Sequence, residues 1–388
     1  MKRVVFFLFS LFFFCFSVYA EEFDITGEYV SLYNMNEDML IYSKNDTKKT
    51  SIASLTKMMT TLVAIENIDD LEKVIAIKER DFDGTVGYSK AGFSVGDKVT
   101  YLDLLYGIIL PSGADAVNAI VNNTLGYNSF IKKMNETAKK IGMNDTSFAN
   151  PIGKDDENNY STSSDIAKLL KYALKNETFK KVFTTKSYKT SNGINLESTV
   201  NSYKSILNTS EILGAKSGFT KNAGRCLASI TTLNGVDYLL VVINSSTSSP
   251  SNAVKDTITI YDYYSSNYGY KNILNDDTFI KEIPVDLSKE KTYKITGNED
   301  VNKYLKNGDE VTYEYVGSDK ITFNTKNGSK LGVVNIYNGD ELIATSNVYL
   351  ENNIEYYPIV TYVLIFIGVI FILLIIRKSK KKHRRRRR

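Results

Sequence analysis

The chain of 388 residues contains no tryptophan, two cysteines and a single histidine. That histidine, His383, lies in a run of Lys and Arg at the C-terminus. The body of the chain therefore holds neither a Ser-His-Asp nor a Cys-His triad, and a histidine-based metal site has no ligands to draw on. Any serine enzyme built here needs another base. Cys15 lies in an apolar leader, which leaves Cys226 alone and an internal disulfide excluded. Cys226 falls in the apolar run 226–230, which reads as a strand, and the thiol reads as a buried structural one. Acid is also missing locally: residues 377–388 hold ten Lys or Arg and no Asp or Glu, and residues 1–20 hold Lys2 and Arg3 and none either. Without those twelve, 36 basic residues face 44 acidic ones, a net of −8 behind an overall +4. The basic overall balance is thus no sign of a nucleic-acid partner, and none is expected.

Two apolar runs bracket the chain. Residues 1–20 place Lys2-Arg3 before an apolar core and end in Val18-Tyr19-Ala20, the pattern of a signal peptide cut after Ala20, with an uncleaved anchor as the alternative. Residues 359–376 form an uncharged stretch that spans roughly 27 Å as a helix, close to a bilayer core. The basic residues after it predict a cytoplasmic C-terminus, an external folded region, and contact with anionic lipid heads. The expected organisation is a signal peptide at 1–20, a first domain at 21–268, a β-domain at 269–353, a transmembrane helix at 354–376 and a basic cytoplasmic tail at 377–388.

Between the brackets, 29–33 and 40–43 read as short strands around a polar turn. Helical periodicity follows at 102–110, 115–125, 130–141 and 164–174, with a break at Pro111-Ser112-Gly113. Strands are expected at 214–219, 225–233 and 236–244, the last two joined by Asn234-Gly235, a strong hairpin signal, and a helix at 253–264. Strands at both ends with helices between predict an α/β (α+β) domain, an antiparallel sheet assembled from distant parts of the chain, flanked by helices and with a helical cluster beside it. Short strands at 281–285, 311–316, 320–325, 331–337 and 341–346, with Asn338-Gly339 as a turn, predict a separate all-β domain that carries no catalytic cluster.

Three stretches carry chemistry. In Ala53-Ser54-Leu55-Thr56-Lys57-Met58-Met59, Ser54 and Lys57 stand three apart at a helix start and share a face. Leu55, Met58, Met59 and Leu62 mark a buried stripe. A lysine serves as base to a serine when burial or a nearby cation keeps part of it neutral. Ser-x-x-Lys recurs at Ser129/Lys132, Ser288/Lys291 and Ser379/Lys382, so spacing alone leaves a helix cap as the competing reading for Ser54. Ser112-Gly113-Ala114 sits at the interhelical break, where a cap is again the plain reading. Lys216-Ser217-Gly218 lies within the strand candidate 214–219, where a solvated strand end is the plain reading, and Lys-Ser/Thr-Gly occurs nowhere else in the chain.

In this order, Ser54-x-x-Lys57, Ser112-Gly113-Ala114 and Lys216-Ser217-Gly218 resemble the three motifs of penicillin-binding proteins and serine β-lactamases. Ala53-Ser54-Leu55-Thr56-Lys57-Met58, Asn150-Pro151-Ile152-Gly153, Tyr160-Ser161-Thr162 and Gly224-Arg225-Cys226-Leu227 narrow the resemblance to low-molecular-mass penicillin-binding proteins, the serine D-alanyl-D-alanine carboxypeptidases, over residues 24–268. The resemblance implies a peptidoglycan stem peptide ending in D-Ala-D-Ala as substrate, covalent binding of β-lactams, the bacterial cell membrane as location, and no metal or cofactor. It implies catalytic roles for Ser54, Lys57 and Ser112, with Lys216, Ser217 and Gly218 binding substrate. Ser217 stands where the family has threonine, and Ala114 where it has asparagine; the missing amide predicts a slow enzyme, with Asn118, one turn on, as a substitute. A β-lactamase of the best-known class needs a Glu-x-x-Leu-Asn pattern, which Glu157-Asn158-Asn159-Tyr160-Ser161 does not provide. A transpeptidase differs only in its acceptor, and a weakly active or non-catalytic wall-binding protein is the alternative from another class.

Overall fold

The structure, a computed structural model, describes residues 23–385, so the leader at 1–20 lies outside the described residues. They divide into two compact units, the first ending at Ser266 and the second beginning at Asn267.

In chain order, the first unit opens with strands β1 (Tyr29–Asn34) and β2 (Met39–Lys44). A 3₁₀ turn at Ala53–Leu55 runs directly into helix α1 (Thr56–Asn67). Then come β3 (Val74–Ala76), β4 (Lys98–Thr100), α2 (Tyr101–Ile109), α3 (Ala114–Asn123) and α4 (Tyr127–Lys140). They are followed by α5 (Ser163–Ala173), α6 (Glu177–Thr184), β5 (Ser187–Lys189) and β6 (Asn195–Glu197). The unit closes with β7 (Gly214–Thr220), β8 (Gly224–Leu233), β9 (Val236–Ser245) and α7 (Asn252–Asn267).

Five strands form one antiparallel sheet in the order β2-β1-β9-β8-β7. Its centre joins distant chain, with Val30 opposite Val242 and Leu32 opposite Leu240. Asn234 (φ 52°) and Gly235 (φ 78°) turn β8 into β9 with the two positive φ values that a tight hairpin requires. Helix α5 lies against β1, β8 and β9. Helix α7 binds the sheet through Tyr261, whose hydroxyl is 2.9 Å from Ser229 Oγ, and through Asp256, which accepts from Ser245 Oγ at 2.6 Å. The α/β fold expected from the sequence is the one observed. The helix α6 and the short hairpins β3–β4 and β5–β6 go beyond that expectation.

Helix α1 is the hub of the unit. It packs against α2, α3, α4, α5 and α6. Every residue from Thr56 to Ala64 is buried, including the polar Thr56, Lys57, Thr60 and Thr61. A helix buried on all sides is ordinarily apolar all round. Here Thr60 donates to the Pro151 carbonyl at 2.7 Å and Thr61 to the Lys57 carbonyl at 2.8 Å, which offsets their desolvation. Leu55, Met58, Met59 and Leu62 supply the apolar contacts, each at most 1% exposed.

The second unit contains β10 (Tyr268–Leu274), β11 (Phe279–Pro284), β12 (Thr292–Thr296), β13 (Val301–Lys306), β14 (Val311–Gly317), β15 (Lys330–Asn338) and β16 (Glu341–Tyr349). They pair as β10–β13, β11–β12 and β14–β15–β16 around Ile283, Ile295, Ile321, Val334 and Ile336. The strand expected at 320–325 is instead a turn. Thr325 N–H donates to the Thr322 carbonyl at 2.9 Å, Thr322 N–H approaches Thr325 Oγ1 at 3.3 Å, and Ile321 forms a single bridge to Val285. Threonine hydroxyls that bond the local backbone compete with a strand ladder. The unit ends in α8 (Ile359–Arg385), the one helix among the described residues long and apolar enough to cross a membrane.

The packing of α1 sets an expected outcome. Leu62→Ala should lower unfolding free energy by about 2–5 kcal/mol, the range for a large-to-small change at a site that cannot collapse. Urea unfolding of the variant beside the parent measures it, and a loss below about 1 kcal/mol would mean that α1 is not the hub.

Candidate active site

Three elements meet at one cleft of about 260 Å³, whose lining includes Ser54, Ser112, Ser217 and Gly218. The 3₁₀ turn before α1 supplies Ser54, the α2–α3 turn supplies Ser112, and the strand β7 supplies Lys216, Ser217 and Gly218. All six residues singled out in the sequence come together here, with the two lysines behind the serines.

Each serine faces one amine. Lys57 Nζ is 2.8 Å from Ser54 Oγ, and Lys216 Nζ is 2.9 Å from Ser112 Oγ. Each amine also donates to a main-chain carbonyl, Lys57 to Ile152 at 2.7 Å and Lys216 to Ser217 at 2.7 Å. Lys57 is 1% exposed and Lys216 0%. Burial disfavours the ammonium form, and it brings Lys57 down to about 7 against the opposing pull of the Asp115 carboxylate. Lys216 falls well below the ordinary lysine range, by burial first and by repulsion from Lys57 second. The stretch 53–57 thus holds a hydroxyl beside an amine that is partly neutral at neutral pH.

The backbone around Ser54 is tightly enclosed. Ala53 has φ 45° and Ser112 has φ 64°, left-handed values that cost a non-glycine residue energy and cluster at functional sites. Gly153, at φ 88°, leaves room for the Ala53 carbonyl: a Cβ there would lie 2.0 Å from Ala53 O. From the other side, a Cβ on Gly218 would lie 3.1 Å from Ser54 N, tighter than usual contact. The Ser54 amide is therefore lodged between the 150–153 turn and β7.

Several residues of the site were given no role in the sequence reading. Asn150 Oδ1 accepts from Gly153 N at 2.7 Å and Lys154 N at 2.9 Å, which shapes the turn that presents the Ile152 carbonyl to Lys57. The Asn-Pro pair was the available turn signal. Thr199 Oγ1 is 2.6 Å from Ser217 Oγ, a pairing across 18 positions with no local signal. Asp115, 1% exposed, accepts twice from Ala91 N–H, at 2.8 and 3.1 Å, and ties the cleft wall at 87–91 to the Ser112 turn. Cys226 is buried, its thiol pushed up to about 12 by burial, as suits a structural thiol.

The expectation for Asn118 is corrected. Its amide donates to the carbonyls of Asp81 (3.1 Å) and Asp83 (3.0 Å), so it braces α3 against the 79–82 turn and is not a stand-in at the cleft. Spacing of i, i+4 places a residue on the same helix face but does not decide which neighbour takes its side chain.

The close approach at Gly153 gives a direct test. Gly153→Ala should cost about 1–3 kcal/mol of stability, because both the positive φ and the Ala53 contact resist a Cβ. Gly193→Ala, at φ 92° with open space around it, isolates the φ cost. Equal losses of the two variants in urea unfolding would show that the contact is unimportant.

Comparison with known proteins bears on the family and the fold. The family described as D-alanyl-D-alanine carboxypeptidase matches residues 17–247, and the penicillin-binding protein 5 C-terminal domain matches residues 268–356. The chain is 28% identical over 330 residues to D-alanyl-D-alanine carboxypeptidase DacF of Bacillus subtilis, covering 83% of this chain and 84% of that one. It is 33% identical over 227 residues to a D-alanyl-D-alanine carboxypeptidase of a Streptomyces strain, covering 54% and 78%. Among solved structures, penicillin-binding protein 5 of Haemophilus influenzae has the same fold (TM-score 0.62, 22% identity, 86% of this chain and 99% of that one). A Streptomyces DD-transpeptidase matches at TM-score 0.55 with 30% identity, over 62% and 98%. With a family match over more than half its length, the chain belongs to the low-molecular-mass penicillin-binding proteins, the D-alanyl-D-alanine carboxypeptidase family of serine peptidases.

Proposed function

We propose that this protein removes the terminal D-alanine from peptidoglycan stem peptides through an acyl-enzyme on Ser54, and that β-lactams acylate the same hydroxyl. The observation that carries the reading is the buried Lys57 amine, lowered to about 7 and 2.8 Å from Ser54 Oγ. A neutral Lys57 accepts the Ser54 proton as Oγ attacks the carbonyl of the penultimate D-alanine. The N–H groups of Ser54 and Phe219 are the candidate donors to the oxyanion. Ser112 relays to the leaving D-alanine amine the proton that Lys57 took from Ser54, which returns Lys57 to its neutral form, and Lys216 holds the Ser112 hydroxyl in place. Ser217, with Thr199 beside it, receives the terminal carboxylate. Water then cleaves the Ser54 ester. A β-lactam mimics the D-Ala-D-Ala end and stops at the ester.

A non-catalytic scaffold fits the site poorly. Two buried amines in one site cost stability, and a wall-binding protein gains nothing from them. The step most affected by sequence is at Ala114, buried at the start of α3. Loss of one hydrogen bond to a charged partner, about 1.5–3 kcal/mol, corresponds to an acylation roughly 10- to 150-fold slower than with an amide present.

We further assign 1–20 to a signal peptide, 21–268 to the catalytic domain, 269–353 to the β-domain, the apolar part of α8 at 359–376 to a transmembrane helix, which begins five residues later than the expected 354 because Tyr356 bridges Ser288 in the second unit, and 377–388 to a basic cytoplasmic tail. The domains then stand outside a bacterial cell membrane that is crossed once. Protease added to intact, wall-stripped cells should digest the catalytic unit; full protection would reverse the orientation.

The enzyme reading is tested by mass spectrometry of D-alanine released from a diacyl D-Ala-D-Ala peptide, with labelled penicillin tracing the ester. Label should attach to the Ser54 peptide and be absent from Ser54→Ala. Because the base must be neutral, the acylation rate should fall about tenfold per pH unit well below about 7 and level off above it. Ala114→Asn should acylate faster than the parent. Undiminished labelling of Ser54→Ala, or an acid limb that does not lie near neutrality, would overturn the assignment.

A further inference from the structure

We infer that Arg225 is a specificity-determining residue that grips the free terminal carboxylate of the substrate, an inference that rests on the function proposed above. On β7 and β8, Phe219 stands opposite Arg225 and Ser217 opposite Leu227. The pleat puts Ser217 and Phe219 on one face of the sheet, and Arg225 and Leu227 share it. All four line the cleft together with Ser54. The Arg225 guanidinium lies flat enough on Phe219 to bring its carbon within 3.9 Å of the ring centroid. Stacking of this kind fixes an otherwise flexible side chain.

Nothing in the described protein uses the fork so held. Arg225 Nε is buried without a hydrogen-bond partner, and among the described residues no carboxylate forms an ion pair with the group. A buried, unpaired guanidinium donor costs desolvation free energy that a bidentate carboxylate would offset. Ser217 already directs a hydroxyl, with Thr199, onto the same face. The alternative cation, Lys216, points to the other side of β7, where Ser112 and the Ser217 carbonyl take its amine. Arginine keeps its charge at any working pH. The counter-charge to the substrate carboxylate is therefore Arg225, and Lys216 belongs to the proton-transfer side of the cleft.

The test compares a diacyl D-Ala-D-Ala peptide with its C-terminal amide on the purified full chain, Arg225→Gln and Arg225→Lys. The parent should prefer the free acid. Arg225→Gln should lower kcat/KM for the acid by about 10- to 100-fold, chiefly through KM, and so collapse the acid-to-amide ratio. Arg225→Lys, which keeps charge but not the fork, should recover part of that ratio. Equal losses on both substrates, or an unchanged ratio, would overturn the role of Arg225 while leaving the enzyme reading intact. Should Arg225→Gln fail to fold, the ratio in Arg225→Lys decides by the same criterion. A parent that neither releases D-alanine nor takes up penicillin overturns the enzyme reading and this inference with it.

Discussion

Two like charges cannot both be kept in a dry cleft, and the first unit is arranged around that constraint. Lys57 and Lys216 are each buried, and each touches a serine hydroxyl and a main-chain carbonyl. In water either amine would hold its proton far above neutral pH. Here burial lowers both, and repulsion from Lys57 lowers Lys216 further. Asp115 pulls the other way on Lys57 and keeps it near neutrality, the range in which a base works best. Without a histidine in the body of the chain, this shared burial is the available route to a base.

Holding such a site requires rigidity, and α1 provides it. Surrounded by five helices, it fixes Lys57 from behind while the 3₁₀ turn at its start holds Ser54 forward. The positive φ values at Ala53 and Ser112 persist because the neighbouring turns leave no alternative. The Asn150 amide, the Ile152 carbonyl and the absent side chain of Gly153 act as one piece against the Ser54 turn.

Much of this was legible in the sequence, because the signals were local. The 3.6-residue stripe of Leu55, Met58, Met59 and Leu62 and the Asn234-Gly235 turn each belong to one stretch of chain. Three ordered motifs then located the cleft. What was not legible depends on partners far away in sequence. Thr199 meets Ser217, Asp115 meets Ala91, and Asn118 turns to Asp81 and Asp83; no periodicity encodes those choices. Helix α6 was readable after all, since Asn176 caps it and Phe179, Val182 and Phe183 form its buried face. The segment 320–325 misled because its threonines suit a strand by propensity, yet bond their own turn.

The pairing of β1 with β9 also governs how the chain is made. Val30 finds Val242 only after about two hundred intervening residues have been synthesised, and until then β1 has only β2 beside it. Contacts of such separation are slow to form, because loop closure precedes any gain from pairing. Until then the apolar faces of β1 and α1 are exposed in a growing chain, which is the condition that favours aggregation or chaperone capture. A nascent chain halted anywhere before residue 236 lacks the strand that closes the sheet, so the cleft at Ser54 is assembled only when synthesis of the first unit is nearly complete.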